Sequence, residues 1–293
     1  MIHKISDMKS KNIGENTNII FAGNNHGGIV AFKSLQKYFL NIEVITDDEN
    51  IISLLRKTDK IIKFFLDTNT EIVVCAGYHS IINKDILKRK IIINTHPSLL
   101  PKYRGMHGLV WGMLNFEDVL GFTIHLMNEY IDDGDIIEQF EVRYNNETSQ
   151  EIMQKFDKYV LENLGRVVFE FLIGKIIPLK QKKCSATWVT KRNIEDCIVD
   201  FNRENIYIER FFKALVRPYP LPMLKINGVL YEIVGHKLID IKYDMTLGRV
   251  VNIENKDVYI KVKDGLLIIN KLINFETKNI TQASDIVKIG KRL

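Results

Sequence analysis

Ile91-Ile92-Ile93-Asn94-Thr95-His96-Pro97-Ser98-Leu99-Leu100-Pro101-Lys102-Tyr103-Arg104-Gly105 passes from three isoleucines directly into polar residues punctuated by two prolines. The isoleucine run reads as the end of a buried strand. Pro97 and Pro101 forbid regular structure, which predicts a loop for the polar residues at the strand's C-terminal end. In open α/β sheets that edge is where ligands bind. Asn94 and His96 stand two apart, so an extended backbone turns them to one face. A neutral amide beside an imidazole suits acyl-group chemistry: the amide N–H can stabilise an oxyanion, and the imidazole can move a proton near neutral pH.

Upstream of this stretch the chain has the punctuation of an α/β fold. Residues 18–23 predict a first strand, followed by Asn24-Asn25-His26-Gly27-Gly28 and an amphipathic helix carrying Ile29, Val30, Phe32, Leu35 and Phe39. A second strand over 42–46 completes a βαβ opening. The glycines at 23, 27 and 28 do not form G-x-G-x-x-G, so a dinucleotide fingerprint is rejected. Such a loop serves either as a tight turn or as a row of backbone N–H donors for phosphate or substrate. Residues 51–65 read as helical, in one piece or two. A third strand over 71–76 ends in Gly77-Tyr78-His79, and 85–88 fits a short helix.

Downstream, 107–114 predicts a helix, with His107 either near the site or a cap or surface residue. Residues 121–127 alternate as a strand on which His125 reads as structural. Ile131-Asp132-Asp133-Gly134-Asp135 is a turn between two apolar runs. Thr148-Ser149-Gln150-Glu151 is a capping box opening a helix with Ile152, Phe156, Val160, Leu164, Val167 and Leu172 on its apolar face. Lys180, Lys182 and Lys183 then open a polar segment that fits a linker. A helix over 204–215 follows. Arg217-Pro218-Tyr219-Pro220-Leu221-Pro222 blocks regular structure, and short β-prone runs over 230–234, 249–253, 258–262 and 266–269 follow, with Asp264-Gly265 as a hairpin turn. Several short strands in succession suggest a small barrel.

With 293 residues, 46% of them hydrophobic, the chain has material for one large or two modest domains. No apolar run is long enough for a transmembrane helix, so no membrane is expected, and residues 1–17 lack a signal-peptide core. Cys75, Cys184 and Cys197 show no CxxC spacing, which fits reduced thiols in a cytoplasm. A net charge of +5 suits an anionic substrate and is too mild to imply nucleic acid.

Asn-x-His-x-Ser-Leu-Leu-Pro at Asn94–Pro101, followed by the Asp-x-Gly turn at Asp132, resembles the folate-dependent formyltransferases. That family includes glycinamide ribonucleotide formyltransferase, methionyl-tRNA formyltransferase and the nucleotide-sugar N-formyltransferases. The Arg-Pro-x-Pro stretch and the later Lys-Asp-Gly-Leu resemble the OB-like C-terminal domain of the tRNA enzyme and of the UDP-aminoarabinose formylating enzymes. The fold so implied is α/β: a Rossmann-like, mainly parallel sheet with flanking helices, followed by a small β-rich OB-like domain. The expected organisation is an N-terminal extension (1–17), a catalytic domain (18–180), a linker (181–205) and the C-terminal domain (206–293).

The resemblance implies N10-formyltetrahydrofolate as donor, a primary amine as acceptor, and Asn94, His96 and Asp132 as the catalytic trio. Asn94 would bind the oxyanion, His96 would take the amine's proton, and Asp132 would orient His96 and raise its pKa. Gly77, Tyr78, Ile131, Asp133 and Asp135 are expected around the folate. Asn24, Asn25, His26, Arg104 and His107 are expected on the acceptor side, with Arg104 near an anionic group. No metal is expected, because His96, His107 and His125 lack the spacing of a zinc site. The tRNA enzyme of the family usually carries an inserted basic loop early in its first domain. Residues 18–46 leave no room for one, and the chain continues well beyond a bare formyltransferase domain. A nucleotide-linked amino sugar, dTDP- or UDP-linked and destined for lipopolysaccharide or another surface glycan, is therefore the expected acceptor. Methionyl-tRNA is the alternative, and a catalytically inactive folate- or nucleotide-binding relative is a third reading. A homodimer would fit the habit of soluble enzymes.

Overall fold

The computed structural model describes residues 17–293; the N-terminal extension expected at 1–17 lies outside the described residues except for Thr17. The chain forms two compact units. The first takes in the chain to Leu109, Asp118–Arg143 and Ile152–Thr190. The second takes in Val110–Glu117, Tyr144–Glu151 and Lys191–Leu293.

The first unit is built on strands β1 (Ile19–Gly23), β2 (Ile42–Ile45), β3 (Lys60–Ile61), β4 (Ile72–Ala76) and β5 (Ile91–His96), which run parallel in the order 3-2-1-4-5. A two-residue strand, β6 (Arg104–Gly105), follows. Then β7 (Val119–Leu126) and β8 (Ile136–Arg143) extend the sheet antiparallel beyond β5. Every residue of β1 and β4 is buried, as expected of parallel strands covered on both faces. The helix Asn25–Leu35 and the helix Ser149–Leu172 pack together in this unit, with the Gly165 N–H donating to Ser34 Oγ at 3.1 Å. The longer helix opens on the expected capping box: Thr148 N–H donates to the Glu151 carboxylate at 2.7 Å, and Glu151 N–H returns to Thr148 Oγ1 at 3.3 Å. Ile152, Phe156, Val160, Leu164 and Val167 are all buried.

Two expectations are corrected here. The helix expected over 51–65 reduces to Glu49–Ile52, and β3 follows instead. Buried Asp59 accepts from the backbone N–H of Ile42 and Arg56 and from the Arg56 guanidinium, closing a turn that competes with helix. Asn94 and His96 are not on a loop but are strand residues of β5. Asn94 is paired with Cys75 on β4 and His125 on β7, and His96 with Thr123 on β7. The prolines act only after His96.

The segment after the long helix is not a free spacer over its first part. Its strand β9 (Trp188–Val189) pairs in parallel with β6, Arg104 opposite Trp188.

The second unit holds the helix Asn205–Ala214 and eight strands: β10 (Met223–Ile226), β11 (Val229–Ile233), β12 (His236–Asp240), β13 (Val250–Glu254), β14 (Asp257–Lys261), β15 (Gly265–Ile269), β16 (Lys271–Asn274) and β17 (Ile280–Gln282). They pair antiparallel as two four-stranded sheets, 10-11-16-17 and 12-15-14-13, where the sequence suggests a small barrel. The hairpin at Asp264-Gly265 is present, with Val262 N–H donating to Gly265 O at 3.0 Å.

Candidate active site

The strand order 3-2-1-4-5 means that the chain leaves β1 toward β2 on one side and returns to β4 on the other. Such a reversal opens a crevice at the carboxyl ends of the two strands. The sequence fits that crevice closely. Gly77, at φ +65°, lies against the Asn24 carbonyl so tightly that any Cβ would collide with it. Asn24 Oδ1 accepts from Thr46 Oγ1 at 2.6 Å and from Asp47 N–H at 3.3 Å. The Asn25 N–H donates to Asp48 Oδ2 at 2.8 Å, and its side chain lies 3.4 Å from His79. His26 pairs with Asp157 at 2.9 Å on the surface. Tyr78 packs edge-on to Phe65, ring centres 5.7 Å apart, in the wall of a cavity of about 440 Å³ that also takes in Ile45, Phe64 and Ile81.

Next to this crevice, at the end of β5, His96 faces Asp132, and Asn94 is linked to Asp132 through His125. His96 is 5% exposed. Its Nε2 lies 2.9 Å from the Tyr103 carbonyl, which can only accept, so Nε2 carries the proton of the neutral ring. Nδ1 faces Asp132 Oδ2 at 3.6 Å. The other carboxylate oxygen of Asp132 lies 3.5 Å from His125 Nε2. His125 donates through Nδ1 to its own strand's Leu126 carbonyl at 2.8 Å, which leaves Nε2 to accept from Asn94 Nδ2 at 3.3 Å. One N–H of the Asn94 amide is thereby held, and the other remains for an incoming oxygen.

The electrostatics differ from the sequence expectation in one respect. Burial pushes the His96 pKa down, and although Asp132 and the Tyr103 carbonyl pull it up, the net shift is downward. His96 is thus neutral at pH 7 and able to take a proton at Nδ1, beside a carboxylate that would stabilise the charge. Burial alone would raise the Asp132 pKa. His125, which donates to the carboxylate from Nε2 when its ring is protonated, the positive charge that His96 and His125 carry in that form, and the Gly105 N–H at 2.8 Å outweigh it and lower the carboxyl to about 2.

The loop between His96 and Arg104 is fixed by Thr123 on β7. Thr123 Oγ1 donates to Ser98 O at 2.6 Å and accepts from Leu100 N–H at 3.2 Å. Ser98 Oγ donates to Lys102 O at 2.7 Å and has no hydrolase setting. His107, at φ +65°, precedes the helix Gly108–Leu114, and a Cβ at Gly108 would come within 3.3 Å of His96 Nε2.

Arg104 requires a second correction. Expected near an acceptor's anionic group, it is 4% exposed and turned into the protein, with Nη1 2.6 Å from Asp133 and Nη2 2.6 Å from Gln181 Oε1. Ile131 is exposed and lines a cavity of about 490 Å³ with Tyr130, Asp133, Lys183, Trp188 and the edge of Arg104 itself. Gly134 lies against the Leu126 carbonyl where no Cβ fits, and the Asp135 carbonyl accepts from Leu126 N–H at 2.9 Å. Among the described residues no group of three or more His, Cys, Asp or Glu is arranged to hold a metal ion. Nor is any helix long and apolar enough to cross a membrane.

Two residues of this site were not legible in the sequence. His125 read as structural. Only its pairing with Asn94 across β5 and β7 reveals it, and a sequence does not display register. Gln181 lies in a lysine-rich run and carried no signal at all.

Family models for a formyl transferase and for its C-terminal domain match residues 36–168 and 192–290. A methionyl-tRNA formyltransferase of Campylobacter jejuni subsp. jejuni is 30% identical over 220 residues, 74% of this chain and 69% of that protein. The chain belongs to the folate-dependent formyltransferase family. Among solved structures, an N-formyltransferase from Helicobacter canadensis, in complex with folinic acid and dTDP-3-aminofucose, superposes with a TM-score of 0.65. It is 19% identical and covers 87% of this chain and 98% of that one. HypX from Aquifex aeolicus in complex with tetrahydrofolic acid superposes with a TM-score of 0.61 at 15% identity. That match covers 92% of this chain, which spans about half the length of HypX.

Proposed function

We propose that the enzyme moves a formyl group from N10-formyltetrahydrofolate to the amine of a nucleotide-linked amino sugar, with Asn94, His96 and Asp132 as its catalytic residues. The gathering of these three side chains around His125 and the Asp132 carboxylate, at the carboxyl edge of β5, carries the proposal. The acceptor nitrogen attacks the formyl carbon, a C–N bond forms, and the carbonyl oxygen becomes an oxyanion. The free N–H of Asn94 donates to that oxygen; a donor so placed is worth about 3 kcal/mol of barrier. The ammonium proton of the adduct passes to His96 Nδ1, where Asp132 stabilises the imidazolium. The bond from carbon to N10 then breaks, and the proton returns to N10, leaving tetrahydrofolate and the formamide.

The folate would lie against Gly77, Tyr78, Ile131, Asp133 and Asp135, between the end of β4 and the Asp132 turn. Asn24 and the first helical residues after it, Asn25 and His26, with His107 nearer the reacting atoms, would receive the acceptor. The nucleotide-sugar assignment is supported by the short interval from β1 to β2, which holds only the helix Asn25–Leu35. It is supported also by the near-complete coverage of the Helicobacter canadensis enzyme. A methionyl-tRNA acceptor is the second reading, favoured by the 30% identity to the Campylobacter protein. Incubating the protein and the folate donor with dTDP- and UDP-amino sugars, and separately with charged initiator tRNA, tests both. Formylation of the tRNA alone overturns the sugar assignment. Folate binding with no transfer to any acceptor leaves the inactive relative.

A further inference from the structure

We propose that Gln181 is a positioning residue that holds the Asp132 turn in its working conformation, an inference that rests on the role given to Asp132 above. Asp132 sits at φ +49°, a left-handed backbone that a residue with a side chain adopts at a cost of roughly 1 kcal/mol and keeps only where its surroundings enforce it. The enforcement is visible atom by atom. Gln181 Nε2 donates to the carbonyls of Asp132 at 2.8 Å and Gly134 at 2.7 Å, spanning the turn. Its Oε1 accepts from Arg104 Nε at 3.2 Å and Nη2 at 2.6 Å. The same buried guanidinium pairs with Asp133 and lies under Trp188, 5.7 Å from the ring centre.

One amide thus joins two backbone carbonyls of the turn, that of Asp132 and that of Gly134 just after it, to a buried cation. A primary amide can do both, since the turn offers carbonyls and needs donors while Arg104 offers N–H groups and needs an acceptor. The segment carrying Gln181 is itself tied down. Thr187 Oγ1 accepts from Tyr103 N–H at 2.8 Å, the Thr187 carbonyl accepts from Arg104 N–H at 2.9 Å, and β9 pairs with β6. The residues after the long helix act as a strap across the back of the Asp132 turn.

His96 is faced by Asp132 from the turn and by His125 from β7, with Arg104 and Asp133 behind the carboxylate. If Gln181 sets the carboxylate's place, its loss weakens the attraction of Asp132 for the imidazolium and lowers the pH at which His96 titrates.

Gln181→Glu keeps an acceptor for Arg104 but removes both donors to the turn. Gln181→Met keeps the length and removes everything polar. Titration of the His96 imidazole by NMR in the unliganded full chain, its signal assigned by its loss in His96→Asn, reads the effect without any acceptor. In Gln181→Met the midpoint is expected to move to lower pH; in Gln181→Glu the added negative charge opposes that shift, and turnover and KM carry the reading. Turnover should fall by roughly 30-fold with KM for donor and acceptor changed by less than about threefold, the signature of a misplaced group rather than a lost contact. Should Gln181→Met fail to fold, Gln181→Glu, which retains the Arg104 bonds, carries the test. A midpoint unmoved in folded Gln181→Met overturns the proposal, as does unchanged turnover in folded Gln181→Glu or a loss of turnover matched only by a fall in Tm. A midpoint that moves in a protein that transfers no formyl group leaves the positioning role standing and removes the reaction assigned above.

Discussion

The first unit and the second both bury charge, and they do so in opposite ways. In the second unit Glu232 is fully buried, and its two oxygens take both ends of the Arg217 guanidinium at 3.0 and 2.6 Å. Lys261, 1% exposed, donates to the Val262 carbonyl at 2.6 Å. Glu232 and Arg217 are closed on each other, and Lys261 is closed on the carbonyls of its own hairpin. At the end of β5 the partners stand just apart: 3.6 Å from His96 to Asp132, 3.5 Å from His125 to Asp132, and an amide with one N–H committed. Closed pairs hold a fold, whereas capacity left open within a buried cluster awaits a ligand or a proton.

Breaking the open cluster should therefore cost rate, and breaking the closed one should cost stability. The largest effect is expected from His96→Asn: turnover falls by about a thousandfold or more, with the circular dichroism spectrum unchanged. Near-normal turnover would sink the proton-transfer role. Asn94→Ala should follow with about a hundredfold loss in kcat and little change in KM, measured at saturating donor. In the second unit, Arg217→Ala leaves a buried carboxylate without its bidentate partner. Because Arg217 is half exposed, a loss of about 2 kcal/mol in urea unfolding is expected, with kcat of the folded protein within twofold of wild type.

A smaller effect tests the Asp132 charge. Its folded carboxyl lies at about 2 against an ordinary 3.8, so the unfolded chain binds the proton first as pH falls. The stability it contributes, about 2 kcal/mol, is present above the ordinary carboxylate range and is lost as pH falls from near 4 toward 2. Asp132→Asn should flatten that part of the profile. The acid limb of kcat/KM, set by His96, lies below the ordinary histidine value. It should move lower still in Asp132→Asn, because the carboxylate is what holds the imidazolium up against burial.

Much of the first unit could be read without coordinates. The alternation of strand and helix and the capping box at Thr148 are local signals that the structure bears out, whereas the stretch Asn25–Gly28, read as a loop, forms the first turn of the helix Asn25–Leu35. The failures share a cause. Residues 51–65 have helical-looking apolar spacing, but Asp59 finds partners on Ile42, Gln36 and Arg56, distant or awkward for a helix, and the turn wins. Lys180–Thr190 looks like a solvated linker by composition, yet its pairing with β6 makes it part of the site's support. Arg104 looked like a ligand-binding cation, and only the positions of Asp133 and Gln181 show that its charge is already answered.

The sequence by itself determined the chemistry on offer: an amide and an imidazole two residues apart on one strand, and a carboxylate in a glycine turn. Those depend on residue type and period, which are local properties. Tertiary structure alone decided that His125 reaches both Asn94 and Asp132, that burial lowers His96 despite a neighbouring carboxylate, and that Gln181 grips the turn. Each of these depends on strand register or on exclusion of water by distant segments, and neither is written in the order of neighbours along a chain.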